Sequence, residues 1–140
     1  MPDPVAILAI VVLLLPQAYF LFASPSFLFV SLAIPGVTVL LRVLFSLHFK
    51  LLIGAGGLSA LAFLVTGRPA MACVPAAVAL AALLARPRFL AAFDEAIARR
   101  DLGEVAAVGR LRRLHVAGMA ANGMVLIGLL VAFPRILPVS

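Results

Sequence analysis

Two histidines are the residues of this chain whose type and placement most suggest chemistry. His48 stands in Leu47-His48-Phe49-Lys50, and His115 in Arg113-Leu114-His115. Each opens a long apolar run. Neutral imidazoles ligate haem iron and other metals, so two facing rings on neighbouring helices could hold a b-type haem or a metal ion. The plainer reading makes each an interfacial side chain, with one end in apolar surroundings and the other in water. No ligand motif accompanies either residue, and the plainer reading is preferred.

Few other polar side chains interrupt the apolar runs. Asn122 lies well inside the last run, and Gln17 and Tyr19 lie near the end of the first. Such groups usually hydrogen-bond to neighbouring helices, which makes all three helix-packing residues. The alternative is the sparse lining of a path for a small neutral or lipid-like solute. Met71, Met119 and Met124 read as gap-fillers, and Cys73 as a small buried hydrophobe. Gly118, Ala121 and Gly123 are expected to pack against Gly54, Gly56, Gly57 and Ala60, because small residues let helix backbones approach closely.

No Asp or Glu falls in any expected span, whereas ion-coupled transporters generally keep charged groups in their pathway. Nothing resembles a phosphate loop, an H-E-x-x-H helix, a paired-carboxylate site or a nucleophile elbow. The chain therefore leans away from being an enzyme, and one built here would take its chemistry from a cofactor.

The elements that must position these residues are set by composition. Of 140 residues, 66% are hydrophobic and 11% charged, with a mean hydropathy of +1.28. A soluble domain is about half apolar and a quarter charged, and a chain this short could not hide so much apolar surface from water. Lipid is the solvent that fits. The net charge of +6 is no nucleic-acid signal, because most basic residues sit between apolar spans, where membrane topology is written. The single cysteine excludes an intrachain disulfide. The start, MPDP, lacks a basic region, so the first apolar run reads as a retained helix rather than a signal peptide.

Four spans are expected, at about residues 4–23, 47–65, 70–85 and 114–133. The apolar piece 27–41, broken by Pro35-Gly36, is short for a crossing and reads as interfacial or re-entrant, with a fifth span as the alternative. Residues 86–113 carry Arg86, Arg88, Arg99, Arg100, Arg110, Arg112 and Arg113. Phe89, Leu90, Phe93 and Ile97 give its first half an amphipathic helical period, and Asp101-Leu-Gly-Glu104 has capping-box spacing, expected to restart a helix that runs straight into the last span. The positive-inside rule places this segment in the cytoplasm, in a bacterial-type inner membrane. Its arginines read as topology determinants; contact with anionic lipid headgroups or an acidic partner surface is the alternative.

The stretch Arg86-Pro87-Arg88, then Ala98-Arg-Arg-Asp-Leu-Gly103, leads into Arg112-Arg113-Leu114-His115-x-x-Gly118-Met119-x-x-Asn122. With Val43-Leu-Phe-Ser-Leu-His-Phe-Lys50, it resembles the transmembrane protein 205-like family of four-helix membrane proteins over residues 40–133. The resemblance implies a four-helix membrane fold and carries no activity. The expected function is accessory or structural: packing with membrane lipids and with other membrane subunits or further copies of itself, and stabilising a larger complex. Haem binding through His48 and His115, and transport of a small or lipid-like solute, are the alternatives.

Overall fold

A computed structural model describes residues 3–136. Among them are four helices and no strand: α1 (Pro4–Ala23), α2 (Pro35–Val65), α3 (Pro69–Asp101) and α4 (Ala106–Ile136). A short 3-10 helix, Ser24–Phe29, continues α1. All four helices are long and apolar enough to cross a membrane. The all-α membrane bundle expected from composition is the fold observed, with four such helices rather than five.

Local chemistry accounts for the ends. Pro4, Pro35 and Pro69 are the first residues of α1, α2 and α3, where the missing N–H has no helical partner to lose and the fixed φ suits the helix. Asp3 caps α1: its Oδ1 accepts from the Val5 N–H at 2.9 Å. The same carboxylate pairs with Arg68, tying the start of α1 to the α2–α3 turn. Both turns use a glycine with positive φ, Gly67 at 74° and Gly103 at 87°. The Arg68 N–H donates to the Phe63 carbonyl at 2.8 Å, and the Glu104 N–H to the Arg99 carbonyl at 3.0 Å. Each is the long bond of a Schellman cap, which satisfies carbonyls that a helix end leaves free.

Two boundaries differ from expectation. The piece 27–41 divides at Pro35: its first part is 3-10 helix and loop, and its second is the opening of α2. Pro35-Gly36 starts a helix rather than breaking one, because proline obstructs only the turn before it. α2 has 31 residues, or about 46 Å at 1.5 Å each, and His48 stands in its interior. The first half of the segment 86–113 is not a separate amphipathic helix either, whereas its second half restarts a helix that runs straight into the last span, as expected. α3 continues through Pro75 and Pro87 to Asp101, and the turn at 102–105 leads into α4. The Asp101 and Glu104 carboxylates accept from Arg100 and Arg99 instead of forming a capping box.

The helices pack as a ring in which α1 and α3 each lie beside both α2 and α4. One core cluster, with Phe20, Leu41, Phe45, Phe93 and Leu111, fills the arginine-bearing end. A second, with Ala6, Ala9, Ile10, Ala60, Phe63 and Ala72, fills the other. Outward-facing Leu8, Leu15, Leu40, Leu58, Leu61 and Leu130 leave an apolar exterior, as lipid contact requires.

The glycines do not pair as expected. Gly56 of α2 faces α3, not α4: a Cβ there would lie 2.7 Å from the Pro75 carbonyl and 2.9 Å from the Ala79 Cβ. Gly118 of α4 meets the ring of Phe45, while Gly54, Gly57 and Gly123 have open space. Gly56→Ala should therefore destabilise the bundle by about 1–3 kcal/mol, the range for overpacking. Gly54→Ala should be neutral or slightly stabilising through helix propensity. Denaturant titration of micelle-solubilised protein would compare them, and indistinguishable midpoints would refute the close α2–α3 approach.

Candidate functional site

The arginine-bearing end is organised around the connector 24–34, the longest stretch without an α-helical ladder among the described residues. Backbone groups released there need partners, since lipid and protein interior supply none. Arg112 donates from Nη1 to the Phe27 carbonyl and from Nη2 to the Val30 carbonyl, both at 2.7 Å. Arg100 donates from Nη1 to the Leu32 carbonyl at 3.1 Å and to Thr38 Oγ1 at 2.6 Å. Arg86 donates to Ser46 Oγ at 3.1 Å. Arg99 and Arg110 pair with Glu104, and Arg99 also with Glu95. Arg42, inside α2, forms a two-pronged pair with Asp94 of α3.

Most arginines expected at lipid or partner surfaces are thus engaged within the chain. Arg88 and Arg113 are exposed, with no ion pair or hydrogen bond to other described residues.

His115 belongs to this clamp. It is fully buried. Its Nε2 lies 2.9 Å from Ser24 Oγ and 3.1 Å from the Ser24 carbonyl, and its Nδ1 lies 3.2 Å from Arg112 Nη1. Arginine only donates and a carbonyl only accepts, so Nδ1 holds the lone pair and Nε2 the proton. Both ring nitrogens are used, and none remains for iron. His48 packs elsewhere, its ring centroid 4.2 Å from that of Phe20, whereas His115 meets Phe27 and Phe45 edge-on. With both of its nitrogens bonded to Ser24 and Arg112, His115 offers no free lone pair to the paired haem or metal site considered above.

His48 has a different setting. It lines a half-open cavity of about 270 Å³ between α2, α3 and α4. The walls are Phe45, Phe49 and Leu52 from α2, Val78, Ala82 and Phe89 from α3, and Gly118, Asn122 and Val125 from α4. His48 and Asn122 are the polar side chains in this wall, and both are more than nine-tenths buried. Neither His48 Nδ1 nor Asn122 Oδ1 has a hydrogen-bond partner. A predominantly apolar pocket with a few convergent polar groups is the usual form of a small-molecule site.

The other expected packing residues separate. Gln17 is fully buried in α1, with neither amide atom partnered, and lies outside the cavity wall. Tyr19 is 47% exposed on the outer face of the bundle. Counted along the helices from the Asp3–Arg68 end, Gln17, His48 and Asn122 fall in one layer about 20–26 Å in. Asn122 therefore does not act as the interhelical hydrogen-bonding residue expected of it, because its carbonyl oxygen faces no donor. Two participants were not anticipated: Ser24, which holds His115, and Ser59, which donates to the Ala9 carbonyl at 3.0 Å and ties α2 to α1.

Arg112→Met should free two connector carbonyls and the His115 lone pair. Charge-assisted bonds contribute about 1.5–3 kcal/mol each, so amide exchange over 26–33 should accelerate by at least about tenfold. Arg88→Met should leave that exchange unchanged. Equal protection in both variants would remove Arg112 from the clamp. No protein-family model, curated protein or solved structure matches this chain.

Proposed function

We propose that the chain is a membrane-embedded binding protein that holds a small, mainly apolar molecule in the α2–α3–α4 cavity. The observation that carries this reading is the pair of orphaned polar atoms, His48 Nδ1 and Asn122 Oδ1, in an otherwise apolar wall. Leaving a buried polar atom unsatisfied costs about 1–3 kcal/mol, and lipid offers no compensation. A bound molecule with a hydrogen-bonding group supplies it. This is the lipid-like-solute alternative of the sequence, moved from a path through the bundle to a chamber inside it. The basic end is proposed to face the cytoplasm, by the positive-inside rule.

A role in assembling a larger membrane complex is the second reading. The spans of α3 and α4 bury less of themselves than those of α1 and α2, which leaves their outer faces for lipid or another subunit.

Native mass spectrometry of protein extracted from its own membrane in mild detergent should reveal a bound small molecule. Ala121→Phe, which grows a ring at the cavity wall, should lower its occupancy at least about tenfold, a loss of roughly 1.4 kcal/mol. Protein that carries nothing, and whose thermal midpoint no membrane extract raises, would sink the binding reading. Stoichiometric partner subunits in that same preparation would favour the assembly role.

A further inference from the structure

We infer that the cavity takes a single-chain, uncharged lipid with a hydroxyl-bearing head, which enters sideways from the bilayer between α3 and α4. This rests on the binding reading above and specifies its ligand.

The way in is visible in the small residues. Ala81 and Ala85 of α3 and Ala117 and Ala121 of α4 line the cavity and are also exposed on the outside of the bundle. Each pair is spaced i,i+4 and so lies on one helix face. Four methyl groups leave a slit where larger side chains would close one. The surface around it, with exposed Leu80, Leu84 and Val116, is apolar. A molecule reaching this slit comes from the acyl layer rather than from water.

The shape of the cavity limits the ligand. Its α3 wall runs from Val78 to Phe89, about 16 Å along the helix, and its volume of about 270 Å³ lies just below the usual range for drug-sized sites. That is a narrow chamber, suited to one chain.

The wall also selects the head. No charged residue lines it, so an ionised group would be desolvated there without a counter-charge. The guanidinium of Arg86, outside the wall, donates to Ser46 from Nη2 and keeps an unpartnered Nε. The polar groups on offer are an imidazole nitrogen and a carboxamide, placed on facing helices. A hydroxyl both donates and accepts, so one such group donates to Asn122 Oδ1 while accepting from His48 in the tautomer that carries its proton on Nδ1. An ether, ester or ketone only accepts, and leaves Asn122 Oδ1 without a donor.

The test uses full-length protein in phosphatidylcholine vesicles with three diazirine probes of one chain length: an alcohol, a carboxylate and an alkane. Peptide mass spectrometry reads the labelled positions. The alcohol should label 78–89 and 117–125 preferentially, and unlabelled alcohol should compete where unlabelled carboxylate does not. Asn122→Leu should lower alcohol labelling at least about fivefold, the loss of one buried hydrogen bond. Ala81→Phe with Ala117→Phe should lower labelling of the wall by closing the slit. Equal labelling by all three probes, unaffected by Asn122→Leu, would overturn the hydroxyl head and leave the binding site standing. Preference for the carboxylate, lost in Arg86→Met, would replace it with an anionic ligand. If no probe labels the wall, the binding reading itself fails. Competition in the wild type ranks the three heads without depending on any variant's folding.

Discussion

Every backbone polar group of a membrane protein must find its partner within the protein, and the connector 24–34 is where this chain meets that requirement with side chains. Helices α1 to α4 satisfy most of their own backbone groups, and glycine caps close the turns at 66–68 and 102–105. The connector has neither recourse. Its carbonyls at Ser24, Phe27, Val30 and Leu32 are taken by His115, Arg112 and Arg100. Those donors come from the far ends of α3 and α4. The entry to α2 therefore depends on residues more than 60 positions later in the chain, a separation borne out by the 68 and 85 residues between the partners. A lysine in place of Arg112 would lack the two-nitrogen fork that reaches the Phe27 and Val30 carbonyls, because its donors radiate from one atom.

The same requirement separates the two histidines, which look alike as residues at the head of an apolar run. His115 is spent: each nitrogen has a partner and the ring is a structural part of the clamp. His48 is not. It is nearly as buried, yet its Nδ1 has no hydrogen bond, and its ring packs on Phe20 while bordering the cavity. Within one bundle, an imidazole with both nitrogens bonded makes the unpartnered Nδ1 of the other informative. Asn122 follows the same logic, since an amide buried for helix packing would have its carbonyl oxygen bonded across the interface.

Much of the fold was legible in the residues. Four apolar runs of membrane length, and the break at 101–104 before the last of them, follow from hydropathy and capping chemistry. The start of α2 was misread because Pro-Gly carries two meanings, a break within a helix and an ordinary beginning of one, and only what precedes it decides. The roles of the arginines were hidden for a different reason. Arg112 and Arg88 are the same residue type in the same basic segment, and the connector that distinguishes them is remote in sequence. His48 and Asn122 were singled out from the sequence, but the space between them was not. A cavity is an absence of side chains, and alanines announce it no more clearly than they announce close packing.

That ambiguity is resolved along α3 itself. Near one end, the Pro75 carbonyl and Ala79 press against Gly56, so the small residues there serve close approach. Near the other end, Phe89 of α3 packs at a tilt against both Phe45 and Phe49 of α2, with ring centroids 4.6 Å and 5.6 Å apart. Three rings hold α2 and α3 at a distance that alanine cannot fill. The pinch at Gly56 and the aromatic spacer at Phe45–Phe89 bound the interval from Val78 to Ala85, where alanines face a gap. Neither device alone would make a chamber, because a uniform glycine seam would close the interface and a uniform aromatic seam would fill it. The cavity is a product of their sequence along two helices, and His48 and Asn122 sit in the wall that this mismatch leaves open.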